Sequence, residues 1–105
     1  MLDLDGSHAV AEAAGQWGFV NPCAGKSVDD LPRDLPLFIA RAGQDEPRLN
    51  DALDRFVVKA LTSNLPITVV NHSTAPHAFD LFDDSETSRE TIRRILAFLQ
   101  FHLRA

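Results

Sequence analysis

Two continuous apolar runs constrain the fold of this chain more than any other feature. One covers residues 36–42 (PLFIARA), and the other covers residues 66–71 (PITVVN) and is rich in β-branched side chains. Continuous apolar runs are typical of strands that are covered on both faces in a parallel sheet. The segment between them carries an apolar stripe of helical period, formed by Leu49, Leu53, Phe56, Val57, Ala60 and Leu61. Strand, helix and strand in this order predict an α/β fold with a right-handed β-α-β crossover.

A final helix is predicted over residues 87–103. Thr87 and Glu90 match the T-x-x-E capping box that begins many helices. Phe98 and Phe101 lie off the stripe that we expect this helix to bury, so a second face is also apolar. The buried stripe is predicted to consist of Ile92, Ile95, Leu96, Leu99 and Leu103.

The first third of the chain carries weaker signals. A short helix is predicted over residues 7–14, and the proline-containing segment after it predicts a connection with one helical turn at Ser27–Leu31. The predicted organisation is a single domain over residues 1–105. In this domain a helix and a connecting segment (1–35) precede a β-α-β-α core (36–105).

Composition and charge narrow the class of protein. Hydrophobic residues make up 45% of the 105 residues, which supports a packed core and argues against disorder. The net charge of −5 argues against a general binder of nucleic-acid phosphates. The single cysteine, Cys23, precludes an internal disulfide, and the sequence shows no signal peptide and no membrane-spanning run. We therefore expect a soluble cytoplasmic domain that contacts neither nucleic acid nor membrane.

Polar loops follow both predicted strands, at residues 43–47 (GQDEP) and 72–80 (HSTAPHAFD). In open α/β sheets, function gathers in the loops at the carboxyl ends of the strands, and adjacent parallel strands bring two such loops side by side. An Asp that accepts a hydrogen bond from one ring nitrogen of a His sets its tautomer and leaves the other nitrogen as a general base. Asp45 and His77 are the candidate pair, and such a pair is useful beside a nucleophile.

These residues resemble the C-terminal part of an α/β-hydrolase, closest to the dienelactone-hydrolase-like branch. The segment GQD at 43–45 matches the family's G-x-D loop after the penultimate strand, and APHAF at 75–79 matches its small-x-H-x-F context after the last strand. The family order Ser, Asp, His also fits, with one helix and one strand between acid and base. The resemblance covers about residues 20–105. It implies a partial α/β-hydrolase fold that acts on esters or lactones, with Asp45 as the triad acid, His77 as the general base, and neither cofactor nor metal.

The family's nucleophile has no counterpart in this sequence. That residue belongs to a G-x-S-x-G or G-x-C-x-G elbow between a strand and a helix, and no G-x-S-x-G occurs here. The near-match NPCAG at residues 21–25 contains Cys23, but no buried strand precedes it. The segment from Cys23 to Asp45 is also too short for an elbow helix and a further strand. We therefore reject Cys23 as the nucleophile and expect the chain, as a C-terminal segment of such a hydrolase, to be inactive alone.

Simpler interpretations of the same residues stay open. Asp45 could serve only as the N-cap of the following helix, a role for which Asn50 competes, and His77 could be an ordinary surface histidine. His72 could join His77 as a metal ligand, but the loop lacks the partners of a zinc site. The acidic residues within 80–84 fit the N-terminus of the next helix better than a cation site. His72 otherwise receives no role.

Two functional hypotheses follow. In the first, the chain is an ester or lactone hydrolase that retains Asp45 and His77 and takes its nucleophile from a missing segment or a complementing chain. Its substrate is then a small-molecule ester or lactone. In the second, the chain is a non-enzymatic interaction domain. Two parallel strands leave an exposed sheet edge that can template pairing, so this domain is expected to form a homodimer.

Overall fold

The computed structural model of the protein describes residues 15, 16, 18 and 26–104. The helix predicted over residues 7–14 and the NPCAG segment at 21–25 lie outside these residues. In chain order, the described elements are a 3₁₀ turn (Val28–Asp30), strand β1 (Leu37–Ala42), helix α1 (Pro47–Thr62), strand β2 (Ile67–His72), the short helix α2 (Phe79–Phe82) and helix α3 (Glu86–Leu103). They belong to two compact units. The first contains the 3₁₀ turn and α1, and the second contains both strands, α2 and α3.

The two strands form a parallel sheet. Their register runs from Leu37 opposite Ile67 to Ala42 opposite His72. Both predicted strands are therefore confirmed, with bounds that differ by one residue from the apolar runs. Because parallel neighbours need a crossover connection, the chain between them is long, and it contains α1. The described chain is thus a mixed α/β structure with a two-stranded parallel sheet and a C-terminal helix.

In the first unit, the helical elements follow the sequence signals closely. Ser27 and Asp30 form a reciprocal capping box at the 3₁₀ turn, which confirms the predicted helical turn there. Helix α1 buries Phe56 and Ala60, two members of the predicted stripe, whereas Leu61 at the end of the stripe is exposed. The helical period therefore identified the helix and the centre of its buried face.

The second unit has a small core in which the strands and both helices take part. Ala42, Ala75 and Phe79 are buried together, and Ala40 and Ile92 pack against them. Helix α3 contacts both strands and α2. Most of these side chains are small, so the backbones of the two strand-end loops and of α2 come close to one another.

Helix α3 begins one residue earlier than predicted and has a different cap. The N-cap is Ser85, whose hydroxyl accepts a hydrogen bond from the amide of Ser88 at 3.2 Å. The capping box predicted at Thr87 and Glu90 is therefore wrong. Both candidates are good cap residues, and the earlier one satisfies the free amides of the first turn.

The buried face of α3 also differs from the predicted stripe. Its fully buried residues are polar, namely Ser88 and Thr91. Phe98, which was predicted to lie off the stripe, packs against Phe38 with the ring centroids 5.4 Å apart. Three of the predicted stripe residues are instead exposed, namely Leu96, Leu99 and Leu103. Ile92, also a member of the predicted stripe, packs against the core, and Ile95 is half-buried. The predicted stripe is therefore correct in the first half of the helix and wrong toward its C-terminal end.

Candidate active site

The structure brings Asp45 and His77 together. The Nδ1 atom of His77 lies 2.9 Å from Oδ2 and 3.1 Å from Oδ1 of Asp45. Because a carboxylate only accepts, Nδ1 carries the proton of this hydrogen bond and Nε2 is left for proton exchange. The Asp45 side chain is 15% exposed and that of His77 is 63% exposed. The pair therefore has a sheltered acceptor and an imidazole that a molecule from solution can reach.

Backbone hydrogen bonds hold the two loops that carry this pair. The amide of Gly43 donates to the carbonyl of His72, and the amide of Gln44 donates to the carbonyl of Ala75, each at 2.9 Å. The side-chain amide of Gln44 donates to the carbonyl of Ser73 at 3.1 Å. The parallel pairing of β1 and β2 thus continues into the loops, and it places the side chains of Asp45 and His77 on adjoining backbones.

Helix capping does not account for Asp45. The N-cap of α1 is Glu46, whose carboxylate accepts from the amide of Leu49 at 3.3 Å. The interpretation of Asp45 as a simple cap is therefore wrong, and so is the alternative that Asn50 caps this helix. Pro47 follows the cap at the first position of α1, where its missing amide proton costs nothing.

Two unusual backbone features shape the loops. A Cβ atom added at Gly43 would lie 2.6 Å from the carbonyl oxygen of Ser73, so the loops approach as closely as only glycine permits. Ala78 has a left-handed backbone, with φ 54° and ψ 46°. This turn lies between His77, which is exposed, and Phe79, which is buried. It therefore separates the exposed side chain of His77 from the core side chain of Phe79, which anchors α2.

The structure also shows a buried polar cluster that the sequence patterns did not reveal. His72 is 1% exposed, and its Nε2 lies 2.8 Å from the hydroxyl of Ser88. The hydroxyl of Ser88 donates to Oδ2 of Asp83, and the hydroxyl of Ser85 donates to the same oxygen at 2.6 Å. His72, to which the sequence assigned no role, is therefore part of a buried hydrogen-bond cluster. The one sequence signal for this cluster is the spacing D-x-S-x-x-S, which lies at the start of α3.

Hydrogen bonds from two hydroxyl groups stabilise the charged form of Asp83. The hydroxyl of Ser85, followed by that of Ser88, lowers the pKa of this carboxyl below its ordinary value. The carboxylate is 30% exposed and lies 3.6 Å from Nε2 of His72. Asp83 is consequently an acceptor at neutral pH, and it orders the junction between α2 and α3.

The two histidines of the second loop belong to different hydrogen-bond networks. His72 contacts Ser88, whereas His77 contacts Asp45. Within the described part of the chain, no group of three or more His, Cys, Asp or Glu residues is placed to hold a metal ion. Among the same residues, no helix combines the length and the apolar character needed to cross a bilayer.

The nucleophile that His77 would serve is not among its described contacts. In residues 26–104, no serine or threonine hydroxyl forms a hydrogen bond with the His77 ring. Cys23, the rejected candidate, lies outside the described residues. The described residues therefore provide the hydrogen-bonded pair of Asp45 and His77.

Comparisons with known proteins add no relative. No protein-family model, no curated protein and no solved structure matches this chain.

Proposed function

We propose that Asp45 and His77 form the acid–base half of an α/β-hydrolase-type active site that acts on carboxylic esters or lactones. The observation that carries the proposal is the hydrogen bond from His77 Nδ1 to both carboxylate oxygens of Asp45. The pair lies just beyond the carboxyl ends of two adjacent parallel strands, as in the C-terminal part of that fold. The partial α/β-hydrolase fold and the resemblance to the dienelactone-hydrolase-like branch are parts of the same proposal.

In the proposed reaction, a Ser or Cys from another polypeptide segment attacks the carbonyl carbon. Nε2 of His77 accepts the proton from this nucleophile, and the Asp45 carboxylate stabilises the imidazolium that forms. The imidazolium then gives its proton to the departing alkoxide, so the alcohol leaves and an acyl-enzyme remains. Water repeats the sequence with His77 again as the base, releases the carboxylic acid and restores the nucleophile.

Because the proposal assigns the base to this chain and the nucleophile to another segment, the test supplies a nucleophile from solution. The release of p-nitrophenolate from p-nitrophenyl acetate is measured with added methanol, for the wild-type chain and for His77→Ala and Asp45→Asn. The matched control is His102→Ala, which removes an exposed histidine near the end of α3. A positioned general base contributes about 10²–10⁴-fold within a complete site. We therefore expect His77→Ala to slow the wild-type reaction by at least about tenfold, Asp45→Asn to slow it less, and His102→Ala to leave it unchanged.

Equal rates for all four proteins, at the level of the same concentration of free imidazole, would refute the proposal. A genomic observation tests it independently. An in-frame strand–G-x-[SC]-x-G–helix segment, encoded beside this chain or on a co-transcribed partner, would supply the nucleophile. A complementing chain of that kind should restore hydrolysis in the absence of methanol, and it should require His77.

The second candidate is a non-enzymatic domain that forms a homodimer through the edge of β2. It is favoured by the exposure of this strand. Val69, at its centre, is 39% exposed, and in the described residues the sheet contains no strand beyond β1 and β2. An apolar strand edge of this kind pairs readily with a second copy. Sedimentation should then show a dimer that Val69→Lys dissociates. Val58→Lys, at an exposed valine of α1, should not. A monomer at every concentration would exclude this candidate.

A further inference from the structure

The last residue of β2 connects both strand-end loops to the start of α3. The carbonyl of His72 accepts from the amide of Gly43 at 2.9 Å and from the amide of Ala75 at 3.1 Å. The Nε2 atom of its imidazole lies 2.8 Å from the hydroxyl oxygen of Ser88. The ring of Phe79 packs edge-on against the same imidazole, with the centroids 5.3 Å apart. One buried residue thus contacts the first loop, the second loop, α2 and α3.

The hydrogen bonds determine which nitrogen of His72 carries the proton. The hydroxyl of Ser88 has one proton and donates it to the carboxylate of Asp83, which can only accept. The oxygen of Ser88 is therefore an acceptor toward His72, and the Nε2 atom of His72 must be the donor. The other ring nitrogen, Nδ1, is buried without a hydrogen-bond partner among the described residues.

A buried nitrogen without a hydrogen-bond partner destabilises the fold, because its lost hydration is not replaced. A phenylalanine would fill similar space without this cost. A histidine at this position is accordingly explained by the one hydrogen bond that it does make. That bond joins the end of β2 to the first turn of α3. It also holds the peptide whose carbonyl receives an amide from each of the two loops.

From this arrangement we propose that His72 is a positioning residue for the Asp45–His77 pair. Its side chain, anchored to Ser88, holds the carbonyl that sets the distance between the two loops. Asp45 follows Gly43 by two residues, and His77 follows Ala75 by two residues, so a displaced carbonyl moves both partners of the pair. The catalytic meaning of this role rests on the proposed function, whereas the structural dependence of the pair on His72 does not.

Nitrogen-15 NMR of the histidine rings tests the dependence without any substrate. In mildly alkaline buffer, the wild-type spectrum should show His77 as the Nδ1–H tautomer and His72 as the Nε2–H tautomer. Asp45→Ala provides the reference for a His77 that has lost its partner. His72→Phe removes the donor to Ser88 and should move the His77 signals toward that reference.

Two further variants separate positioning from general destabilisation. His72→Gln places an amide N–H at the same reach as Nε2, so it should retain the wild-type His77 tautomer. Thr91→Val is the matched control. Thr91 lies about one helical turn after Ser88 and is 2% exposed, and its hydroxyl donates to the carbonyl of Thr87. This variant should also leave His77 unchanged. If His72→Phe fails to fold, Ser88→Ala removes the same hydrogen bond from its other end and should shift His77 in the same direction.

A folded His72→Phe or Ser88→Ala protein with the wild-type His77 spectrum would overturn the proposal. So would a His72→Gln protein that loses the Nδ1–H tautomer as fully as His72→Phe does. The methanolysis assay keeps the two proposals apart. If His77 depends on His72 in the spectra but no protein accelerates ester cleavage, the hydrolase function fails and the positioning role stands. If cleavage requires His77 but is unaffected by His72→Phe, the positioning role fails and the function stands.

Discussion

The close contact between Gly43 and the Ser73 backbone allows a quantitative prediction for the substitution Gly43→Ala. The added Cβ would lie 2.6 Å from the carbonyl oxygen of Ser73, and 2.8 and 2.9 Å from its Cα and carbonyl carbon. Since ordinary contact begins at 3.4 Å, the Ser73 backbone has to retreat by about 0.8 Å. Gly43 does not have a positive φ, so an alanine is excluded by this contact and not by its own backbone.

The change in the free energy of unfolding can be estimated from the interactions that oppose this displacement of the Ser73 backbone. Overpacking of a tight site costs about 1–3 kcal/mol. The hydrogen bond from Gly43 to the His72 carbonyl, worth about 0.5–1.5 kcal/mol, is stretched at the same time. Alanine restricts the unfolded chain more than glycine does, which returns about 0.4–1 kcal/mol. We expect a net loss of about 2–3 kcal/mol in the free energy of unfolding, or roughly 10 °C in Tm.

Urea unfolding of Gly43→Ala and of Gly15→Ala measures this loss against a matched control. A Cβ at Gly15 would meet nothing within 4 Å, so the identical substitution there should change stability by less than about 1 kcal/mol. The Gly43 variant should also weaken the contact of Asp45 with His77, because Asp45 belongs to the displaced loop. A Gly43→Ala protein as stable as the wild type, or a Gly15→Ala protein equally destabilised, would show that the close approach does not constrain this loop.

Three further predictions concern the second loop and the start of α3. Ser88→Ala leaves the buried Nε2–H of His72 without an acceptor, at about 1–3 kcal/mol, and regains up to about 0.5 kcal/mol of helix propensity. Chemical denaturation should therefore show a net loss of about 1–2 kcal/mol, and a neutral substitution would contradict the hydrogen-bond assignment. Ser85→Ala should raise the pKa of Asp83 toward its ordinary value of 3.8, as followed by carbon-13 NMR of the carboxyl group. The lowered pKa of Asp83 contributes stability that is fully present above the unfolded-state pKa and is lost as the pH falls through the lower pKa of the folded state. Ser85→Ala should therefore reduce the loss of stability on the acid side. An unchanged Asp83 pKa would show that Ser85 is not its principal donor. A Cβ in the left-handed backbone of Ala78 costs about 1–2 kcal/mol. Ala78→Gly removes this strain, and the greater chain entropy of glycine in the unfolded state offsets about 0.5–1 kcal/mol of the benefit. Thermal unfolding should show a gain in stability of up to about 1.5 kcal/mol, whereas a loss would mean that the methyl group of Ala78 makes stabilising contacts.

The spacing of apolar residues and the order of the predicted elements were sufficient to predict the framework of the fold. The two apolar runs became β1 and β2, and the stripe around Phe56 became the buried face of α1. Since the carboxyl ends of adjacent parallel strands lie side by side, the contact of Asp45 with His77 could also be predicted. Each of these features depends on many residues or on topology, so no single side-chain choice could overturn it.

Features decided by one hydrogen bond could not be predicted in the same way. Glu46 caps α1 in preference to its neighbour Asp45, and Ser85 caps α3 in preference to Thr87. Adjacent cap candidates differ by only about 1 kcal/mol, and tertiary contacts outweigh such differences. Asp45, which does not cap α1, accepts a hydrogen bond from His77.

The buried cluster around His72 was missed for a related reason. Apolar periodicity assigns the leucines of α3 to the core and its polar residues to solvent, yet Ser88 and Thr91 are buried. Burial of Ser88 becomes favourable only once His72 and Asp83 satisfy its hydroxyl group. The three residues come from β2, the end of α2 and the first turn of α3, so their meeting is a property of the assembled unit.

The register of the sheet has a consequence for how the length of this chain can vary. Ala42 lies opposite His72, Asp45 is the third residue after the first, and His77 is the fifth residue after the second. The two short loops must therefore keep their lengths, because one inserted residue in either would separate the carboxylate from the imidazole. The connection that contains α1 is under no such restriction, since strand pairing brings its ends together regardless of what lies between them. A helix exchanged for a longer segment, or for an entire inserted domain, should leave the Asp45–His77 contact in place.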